Sequence, residues 1–171
     1  MSRYRPPMPK GSPYITPEGK AKLEVELRYL SETKRPEVTK ALSEAAAEGD
    51  RSENAEYIYR KKQLREIDSR LRYLIKRLDV LISVIDKPSD LTKVFFGAWV
   101  ELEDEEGCVE RYRLVGPDEL DLEKGWISVD SPMAKALLKR QAGDDIVVQR
   151  PKGEKVYELI EVRYEPFAQV C

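Results

Sequence analysis

The residues best suited to chemistry lie in one short polar stretch, residues 49–57, which contains the carboxylates Asp50 and Glu53. An acidic residue followed three positions later by Glu matches a capping box, in which both side chains bond backbone amides where a helix begins. The same pair can instead hold a hard cation, because Mg²⁺ is bound through one or two carboxylates together with water and phosphate oxygens. The local pattern allows both interpretations, and the surrounding elements must separate them.

A run of cations follows this stretch. Residues 60–77 contain eight Lys and Arg side chains against two acids, Glu66 and Asp68. Helical spacing places four of the cations on one face, which we call the basic stripe: Lys61, Arg65, Arg72 and Lys76. Arg60 and Lys62 flank it. Such a run is often only a solvated helix face, but beside a carboxylate pair it also fits a polyanion that the stripe holds while the acids bring a metal ion to it.

Two long amphipathic segments must position these groups. The first begins at Thr16 and Pro17, a favourable N-cap and first helical residue, and we expect a kink or short break at Pro36. The second runs from about Glu53 to Ile85 with Leu and Ile at alternating spacings of three and four, which is a heptad repeat. A short turn between them predicts an antiparallel coiled coil with the two acids at its tip.

Polar residues in the predicted seam give two further expectations. Pairing the helices symmetrically about Arg51 places Lys34 opposite Asp68, which predicts a salt bridge inside the seam. One heptad position before Leu64 lies Arg60, so the apolar contact should end before the tip. A hairpin whose only task is to pack does not need such a break.

The chain as a whole is predicted to be α + (α+β) with four parts. Residues 1–15, rich in proline and cations, are predicted to be a flexible basic arm, and residues 16–86 the coiled-coil hairpin. Residues 87–92 are a linker, and residues 93–171 a small antiparallel α+β domain with one helix on its sheet. This domain contains no nucleotide-binding glycine motif, and we interpret it as a docking module.

Composition excludes several classes of activity. The chain has no histidine, which removes His-based acid–base catalysis, Ser-His-Asp hydrolysis and His-ligated metal sites. Cys108 and Cys171 are too few for a disulfide framework or a zinc site. Residues 1–92 carry 19 Lys and Arg against 15 Asp and Glu, which predicts that this half faces phosphate. Without a membrane-length apolar run or an apolar signal core, we expect a soluble, cytoplasmic protein.

Five blocks carry further information. They read KRPEVTK at residues 34–40, GDRSENAEY at 49–57, REIDSRLRYL at 65–74, KVFFGAWVE at 93–101 and SVDSPMAKALL at 128–138. Through these blocks the sequence resembles the Gre transcript-cleavage factors of bacterial RNA polymerase, over nearly everything from Ile15 to Pro166. The acidic block together with an FKBP-like C-terminal domain is specific to Gre proteins, and the long cationic stretch and KVFFGAWVE favour the GreB type.

The resemblance implies a role beside a polymerase that has backtracked and extruded its RNA 3′ end. The coiled coil would enter the secondary channel, where Asp50 and Glu53 help hold the second Mg²⁺ and its attacking water in the polymerase's own active site. The chain would then be an activator of RNA cleavage and no enzyme by itself. The family's basic patch contacts the nascent RNA 3′ end, and the residues matching it are Arg60, Lys61, Lys62, Arg65, Arg72 and Lys76.

The same resemblance implies a docking surface on the C-terminal domain. Asp130 and Pro132, in SVDSPM, match the residues through which this domain grips a coiled coil at the channel rim. From the residues alone, Ser131 and Pro132 only begin a short helix. The free protein is expected to be a monomer.

Three other functions fit parts of the sequence. A secondary-channel regulator would inhibit polymerase without cleavage, but such relatives alter the tip acids or their setting, and both acids are present here. A prolyl isomerase would need an apolar, aromatic-lined pocket, for which the candidates are Phe95, Phe96, Trp99 and Trp126. A purely structural coiled coil leaves the acidic tip and the seam position of Arg60 unexplained.

Overall fold

The computed structural model describes residues 11–47, 54–150 and 153–167. They form two compact units, one of residues 18–81 and one that combines residues 11–17 with residues 82–167. Each unit has its own buried apolar core. Among the described residues, none of the helices combines the length and the apolar character needed to cross a bilayer.

The first unit is an antiparallel helical hairpin. Its elements are α1 Pro17–Tyr29, a π-helical stretch Leu30–Lys34, α2 Arg35–Ala47 and α3 Ala55–Leu78. The predicted seam is present at its centre, where Val38 of α2 is buried against Ile67 and Leu71 of α3. Leu27, Leu30 and Leu64 pack around this core.

The predicted kink at Pro36 is a widening of the helix rather than a break. The amide of Arg35 donates to the carbonyl of Leu30, five residues back, and the helix continues without interruption into α2. Proline has no amide hydrogen, and its ring clashes with the carbonyl four residues earlier, here that of Glu32. A π-helical turn before Pro36 accommodates that clash while the chain stays helical.

The predicted pairing of Lys34 with Asp68 is wrong by one residue. The Arg35 Nε lies 2.8 Å from the Asp68 Oδ1, whereas the Lys34 Nζ lies 3.5 Å from the Glu37 Oε2 of its own helical segment. The symmetric alignment assumed a regular α-helix throughout, and the π-helical stretch changes the rotation per residue just before this contact. The side chains of Arg35 and Asp68 are partly exposed, so the pair lies at the edge of the seam.

The capping box that the sequence allowed at Asp50 and Glu53 does not begin α3. The N-cap of α3 is Asn54, whose side-chain oxygen accepts a hydrogen bond of 3.0 Å from the amide of Tyr57. Its side-chain nitrogen donates to the carbonyl of Ala45, at 2.8 Å, and so ties the end of α2 to the start of α3. Asn54 therefore fills the capping role that was one of the two interpretations of the acids, and Glu53 precedes it in the chain.

The second helix ends earlier than predicted, and the N-terminal segment is not a free arm over its described part. After Leu78 the chain enters β2, Ile82–Ser83, which pairs in parallel with β1, Tyr14–Ile15. Ile85, assigned to the helical seam by its spacing, is 77% exposed. Sheet pairing of residues 14–15 and 82–83 moves both segments into the second unit, which corrects the predicted boundaries at residues 15 and 86.

A buried carboxylate fixes this N-terminal segment. Glu119 accepts hydrogen bonds from the amide of Thr16, at 2.9 Å, from the Thr16 hydroxyl, and from the amide of Gly116, at 3.1 Å. A Cβ on Gly116 would lie 2.2 Å from the carbonyl oxygen of Tyr14, so only glycine allows the two backbones to approach this closely. α1 begins directly afterwards, at Pro17, as predicted.

The second unit is built on a five-stranded sheet in the order β5-β4-β3-β7-β6. Its strands are β3 Trp99–Asp104, β4 Val109–Val115, β5 Trp126–Ser128, β6 Asp145–Arg150 and β7 Gly153–Arg163. The sheet is antiparallel except for β4 and β5, which run parallel and correct the prediction of a wholly antiparallel sheet. Residues 116–125 make this possible, because they cross from the end of β4 to the start of β5 through two short 3₁₀ turns.

The predicted helix on the sheet is α4, Pro132–Leu137. Ser131 caps it through a hydrogen bond of 3.2 Å from the amide of Ala134 to the Ser131 hydroxyl. Ala134 and Leu137 are fully buried in the core of the sheet unit. That core also contains apolar side chains of four strands: Val100, Leu102, Leu114, Ile127, Tyr157 and Leu159.

We expect Asn54→Ala to destabilise the hairpin by about 1–2 kcal/mol, because it removes both the cap and the bond to the Ala45 carbonyl. Urea unfolding followed by circular dichroism at 222 nm measures the change. Asn54→Ser is the matched control, since serine caps well but cannot reach across as an amide donor, and its loss should be smaller. Wild-type stability of Asn54→Ala would contradict the assignment of this cap.

We expect Glu119→Gln to destabilise the sheet unit by about 1–3 kcal/mol, because an amide nitrogen cannot accept the bonds that the carboxylate accepts. Trp99 and Trp126, the only tryptophans, both belong to this unit, so tryptophan fluorescence during urea unfolding reports on it. The exposed Glu123→Gln is the control and should unfold like the wild type. Equal stability of the two variants would show that the Glu119 network is not needed.

Candidate functional site

The predicted catalytic acids follow α2 and precede Asn54 in the chain. Asp50 and Glu53 themselves lie outside the described residues. The described residues on either side are the end of α2 at Ala47 and the start of α3, which Asn54 caps. The side-chain amide of Asn54 also donates to the Ala45 carbonyl. Because Asn54 supplies the cap, helix capping no longer accounts for the two carboxylates. Metal binding by the two carboxylates stays a prediction from their residue types.

The first turn of α3 is held by its own ion pair. The Arg60 Nε lies 2.7 Å from the Glu56 Oε1, and an Arg60 amino group donates to Gln63 at 3.1 Å. The Arg60 side chain is 31% exposed, in keeping with its predicted place at the end of the seam. Its guanidinium also lies over the ring of Tyr59, 5.4 Å from the ring centre. Arg60 therefore supports the local helix and is less available to a ligand than the sequence indicated.

Two other cations of α3 are paired as well. Lys62 lies 3.9 Å from Glu66 one turn along the helix, a long contact between well-exposed groups. Arg70 makes two hydrogen bonds to Glu26 of α1, at 2.7 and 2.8 Å. These bonds hold the pKa of the Glu26 carboxyl below its usual range, against a smaller opposing effect of burial. The Arg70 pair thus joins α1 to α3 and has a structural role.

The basic stripe is different, because its cations are exposed and lack acidic partners. Lys61, Arg65, Arg72 and Lys76 make no ion pair in the part of the chain that the structure describes. The Lys61 ammonium lies 5.6 Å from the centre of the Tyr57 ring. At 1.5 Å per residue the stripe is roughly 22 Å long. The structure therefore separates the six predicted RNA-contacting cations into an uncompensated stripe and the paired residues Arg60 and Lys62.

Two exposed aromatic residues beside the paired cations Arg60 and Arg70 were missed in the sequence. Tyr59 and Tyr73 are both largely exposed on α3, fourteen positions apart and so close to one face of the helix. The guanidinium of Arg70 lies 5.2 Å from the ring centre of Tyr73. Exposed aromatic rings among cations are typical of surfaces on which unpaired bases stack. Their spacing relative to the seam could have identified them.

The predicted docking residues lie in the sheet unit. Pro132 is exposed at the first position of α4, and Asp130 is half-buried two residues earlier. The Asp130 carboxylate accepts hydrogen bonds from the amide of Ser12, at 2.8 Å, and from its hydroxyl, at 2.5 Å. The structure thus brings the N-terminal segment to this site, a contact that the sequence pattern did not indicate.

The aromatic residues proposed for an isomerase pocket are divided between two places. Phe96 packs against Tyr14, with 6.2 Å between the ring centres. Trp99 and Trp126 instead lie on either side of the Arg113 guanidinium, at 5.3 and 5.0 Å. An arginine between two indole rings fills the space that an apolar proline pocket would need. This arrangement does not favour prolyl isomerase activity.

Two protein-family models match the chain, one to each part. The model described as transcription elongation factor, N-terminal, matches residues 13–81, and the model described as transcription elongation factor, GreA/GreB, C-term, matches residues 88–164. The first match covers the hairpin together with β1, and the second covers most of the sheet unit. Together they include nearly all of the described residues.

Individual relatives agree with these matches. The chain is 58% identical to the transcription elongation factor GreB of Pseudomonas aeruginosa, over 97% of this chain and 99% of that one. It is 56% identical to GreB of Xanthomonas axonopodis pv. citri, over 96% and 98%. A solved structure, the GreA factor homolog Gfh1 of Thermus thermophilus, is 26% identical over 88% and 97%, with a TM-score of 0.41. The chain belongs to the GreA/GreB family of transcription elongation factors.

Proposed function

We propose that this protein binds bacterial RNA polymerase at its secondary channel and stimulates endonucleolytic cleavage of a backtracked RNA 3′ end, which rescues arrested elongation complexes. The observation that carries the proposal is the basic stripe, a row of exposed cations that make no ion pair with the described residues, on the helix that begins just after the two acids in the chain. Its chemistry suits a phosphate backbone, and its position on α3 leads toward the acidic stretch.

Asp50 and Glu53 are the residues that would hold Mg²⁺. Their carboxylates are hard oxygen ligands of the kind that Mg²⁺ prefers. Because Asn54 is the N-cap of α3, neither carboxylate is needed to cap that helix. Bound there and in the polymerase active site, Mg²⁺ would activate water and stabilise developing negative charge. Two carboxylates fill only part of the octahedral shell of Mg²⁺, so water and oxygen ligands of the polymerase would supply the rest. The chain on its own then has no nuclease activity.

The basic stripe would hold the extruded RNA. Its exposed cations, Lys61, Arg65, Arg72 and Lys76, can approach successive phosphates without first breaking an internal ion pair. The rings of Tyr59 and Tyr73 are exposed on a neighbouring face of α3, beside Arg60 and Arg70, and would offer stacking surfaces to bases that extend beyond the stripe. A longer extruded RNA would meet more of these groups than a short one.

The sheet unit would dock on the polymerase through Asp130 and Pro132. Pro132 is exposed and stands at the start of a helix whose other end is anchored in the core by Leu137. A rigid, exposed proline beside a carboxylate can fit the surface of a coiled coil at the channel rim. In this proposal the helical hairpin acts as a coiled coil and the sheet unit as an FKBP-like docking module.

We expect Asp50→Asn and Glu53→Gln each to reduce stimulated RNA cleavage by orders of magnitude, while binding to polymerase and helix content stay near wild type. A neutral amide replaces a carboxylate poorly as a Mg²⁺ ligand. The measurement is the cleavage rate of stalled elongation complexes at saturating factor across Mg²⁺ concentrations, where higher Mg²⁺ should restore part of the rate.

The exposed Glu66→Gln is the control for loss of one carboxylate on the same hairpin, and it should cleave like the wild type. Full cleavage with Asp50→Asn would exclude a role for that acid in metal binding. Normal binding without any stimulated cleavage in the wild-type protein itself would identify the chain as an inhibitory channel regulator instead.

We expect the double variant Arg65→Ala, Arg72→Ala to lose cleavage of long extruded RNA more than cleavage of dinucleotide extrusions, because only a longer RNA reaches both positions. The contacts are electrostatic, so added salt should weaken RNA binding by the wild type more than by the variant. The difference between their cleavage rates on long RNA should therefore become smaller. Rates at several factor concentrations and two salt concentrations measure this.

The double variant Arg28→Ala, Lys40→Ala removes two exposed cations from α1 and α2, outside the basic stripe, and is matched in charge. It should keep the wild-type preference for RNA length. If the Arg65→Ala, Arg72→Ala protein loses the same fraction of its cleavage rate on long and on short extruded RNA, that result would contradict RNA binding by the stripe.

A further inference from the structure

The half-buried carboxylate of Asp130 is held by the N-terminal segment. Ser12 donates to it twice, through its amide at 2.8 Å and through its hydroxyl at 2.5 Å, although 118 positions separate the two residues in the chain. Gly11 lies beside the same group, since a Cβ on Gly11 would stand 3.5 Å from the Asp130 Oδ2 and 3.0 Å from Pro117. Two donors to two different oxygens fix both the position and the rotation of a carboxylate.

Ser12 is itself fixed by neighbours on its C-terminal side. The carbonyl of Pro13 accepts from the amide of Ile82, at 2.8 Å, and Tyr14 is paired in β1. Farther along, Thr16 is bound by the buried Glu119. The segment is therefore anchored at both ends of residues 12–16, so that the Ser12 hydroxyl is presented to Asp130 from a rigid backbone.

We propose that Ser12 is a positioning residue for docking: it holds the Asp130 carboxylate in the orientation in which the sheet unit binds polymerase. This inference rests on the proposed docking role of Asp130. An aspartate on a surface loop ordinarily samples several side-chain rotamers, and binding must then select one of them. The Ser12 donors select the rotamer before the partner arrives, which reduces the entropy lost on binding.

The bonds also tune the carboxylate as an acceptor. Each oxygen of an ionised carboxylate can accept about two hydrogen bonds, and Ser12 donates one to each oxygen of Asp130. Removing the Ser12 hydroxyl leaves the Ser12 amide bond and the pairing of β1 with β2 in place. Ser12→Ala therefore loosens Asp130 without removing the strand that carries residue 12.

The test measures competition of variants with labelled wild-type protein for core RNA polymerase. We expect Ser12→Ala to bind about 3- to 10-fold more weakly, the loss typical of one hydrogen bond. Ser12→Thr, which keeps the hydroxyl, should bind like the wild type, and Ser12→Cys, a weaker donor of similar size, should fall between. The concentration giving half-maximal cleavage should follow the same order, while the maximal rate at saturating factor stays unchanged.

Three comparisons decide the outcome. Ser31→Ala removes an exposed hydroxyl that bonds only a nearby helix carbonyl, Arg28, and should bind normally. In a protein that already carries Asp130→Asn, adding Ser12→Ala should lower the affinity for polymerase by less than 2-fold, because the two changes act on one contact. Tryptophan fluorescence during unfolding shows whether the sheet unit stays folded, and a loss of affinity that follows only a loss of stability across the series would overturn the proposal.

Failure of this inference is distinguishable from failure of the docking role. Normal binding of Ser12→Ala together with weak binding of Asp130→Asn overturns the positioning role of Ser12 and leaves the docking role standing. Normal binding of both variants removes Asp130 from the interface and overturns both.

Discussion

The apolar seam between α2 and α3 is the contact on which the candidate site depends. A helix that carries eight cations over residues 60–77 is not stable alone in water, because like charges repel and the cost of helix nucleation must be offset by packing. Burial of Ile67 and Leu71 against Val38 supplies that packing. The same contact turns the opposite, charged side of α3 outward. The hydrophobic interaction thus both stabilises the helix and exposes the cations.

The distribution of ion pairs decides which of those cations can act on a ligand. Arg70 is held by Glu26 and Arg60 by Glu56, so both stabilise the hairpin. The stripe cations have no such partners within the described residues. Surface ion pairs contribute little to stability, and their absence along the stripe therefore costs the hairpin little.

In the sheet unit a comparable division exists between groups that hold the fold and groups at the surface. Glu119 is buried and joins the N-terminal segment to the turn after β4, so it is structural. Asp130 bonds the same segment but is only half-buried and stands beside the exposed Pro132. A single short segment thus supports one carboxylate for stability and another that the proposed function uses.

Features that depend on local spacing were predicted correctly from the amino-acid sequence. The heptad pattern of Leu and Ile located the hairpin, and the four-, seven- and four-residue steps from Lys61 to Lys76 located the basic stripe. Ser131 and Pro132 identified the start of α4 for the same reason, since caps act within one turn. The family resemblance, carried by the blocks at residues 49–57 and 128–138, was confirmed by the family matches.

Other features depend on contacts between residues that are far apart in the chain, and the sequence pattern predicted these incorrectly. Spacing continued the α3 seam to Ile85, but pairing of Ile82 with Tyr14 ended the helix at Leu78. Composition predicted that residues 1–15 form a flexible arm, yet Ser12 bonds Asp130, 118 positions away in the chain. The N-cap of α3 is Asn54, whose amide also donates to the Ala45 carbonyl at the end of α2. Local periodicity carries no information about such partners, since hydrogen bonds between distant segments form only after the chain has folded.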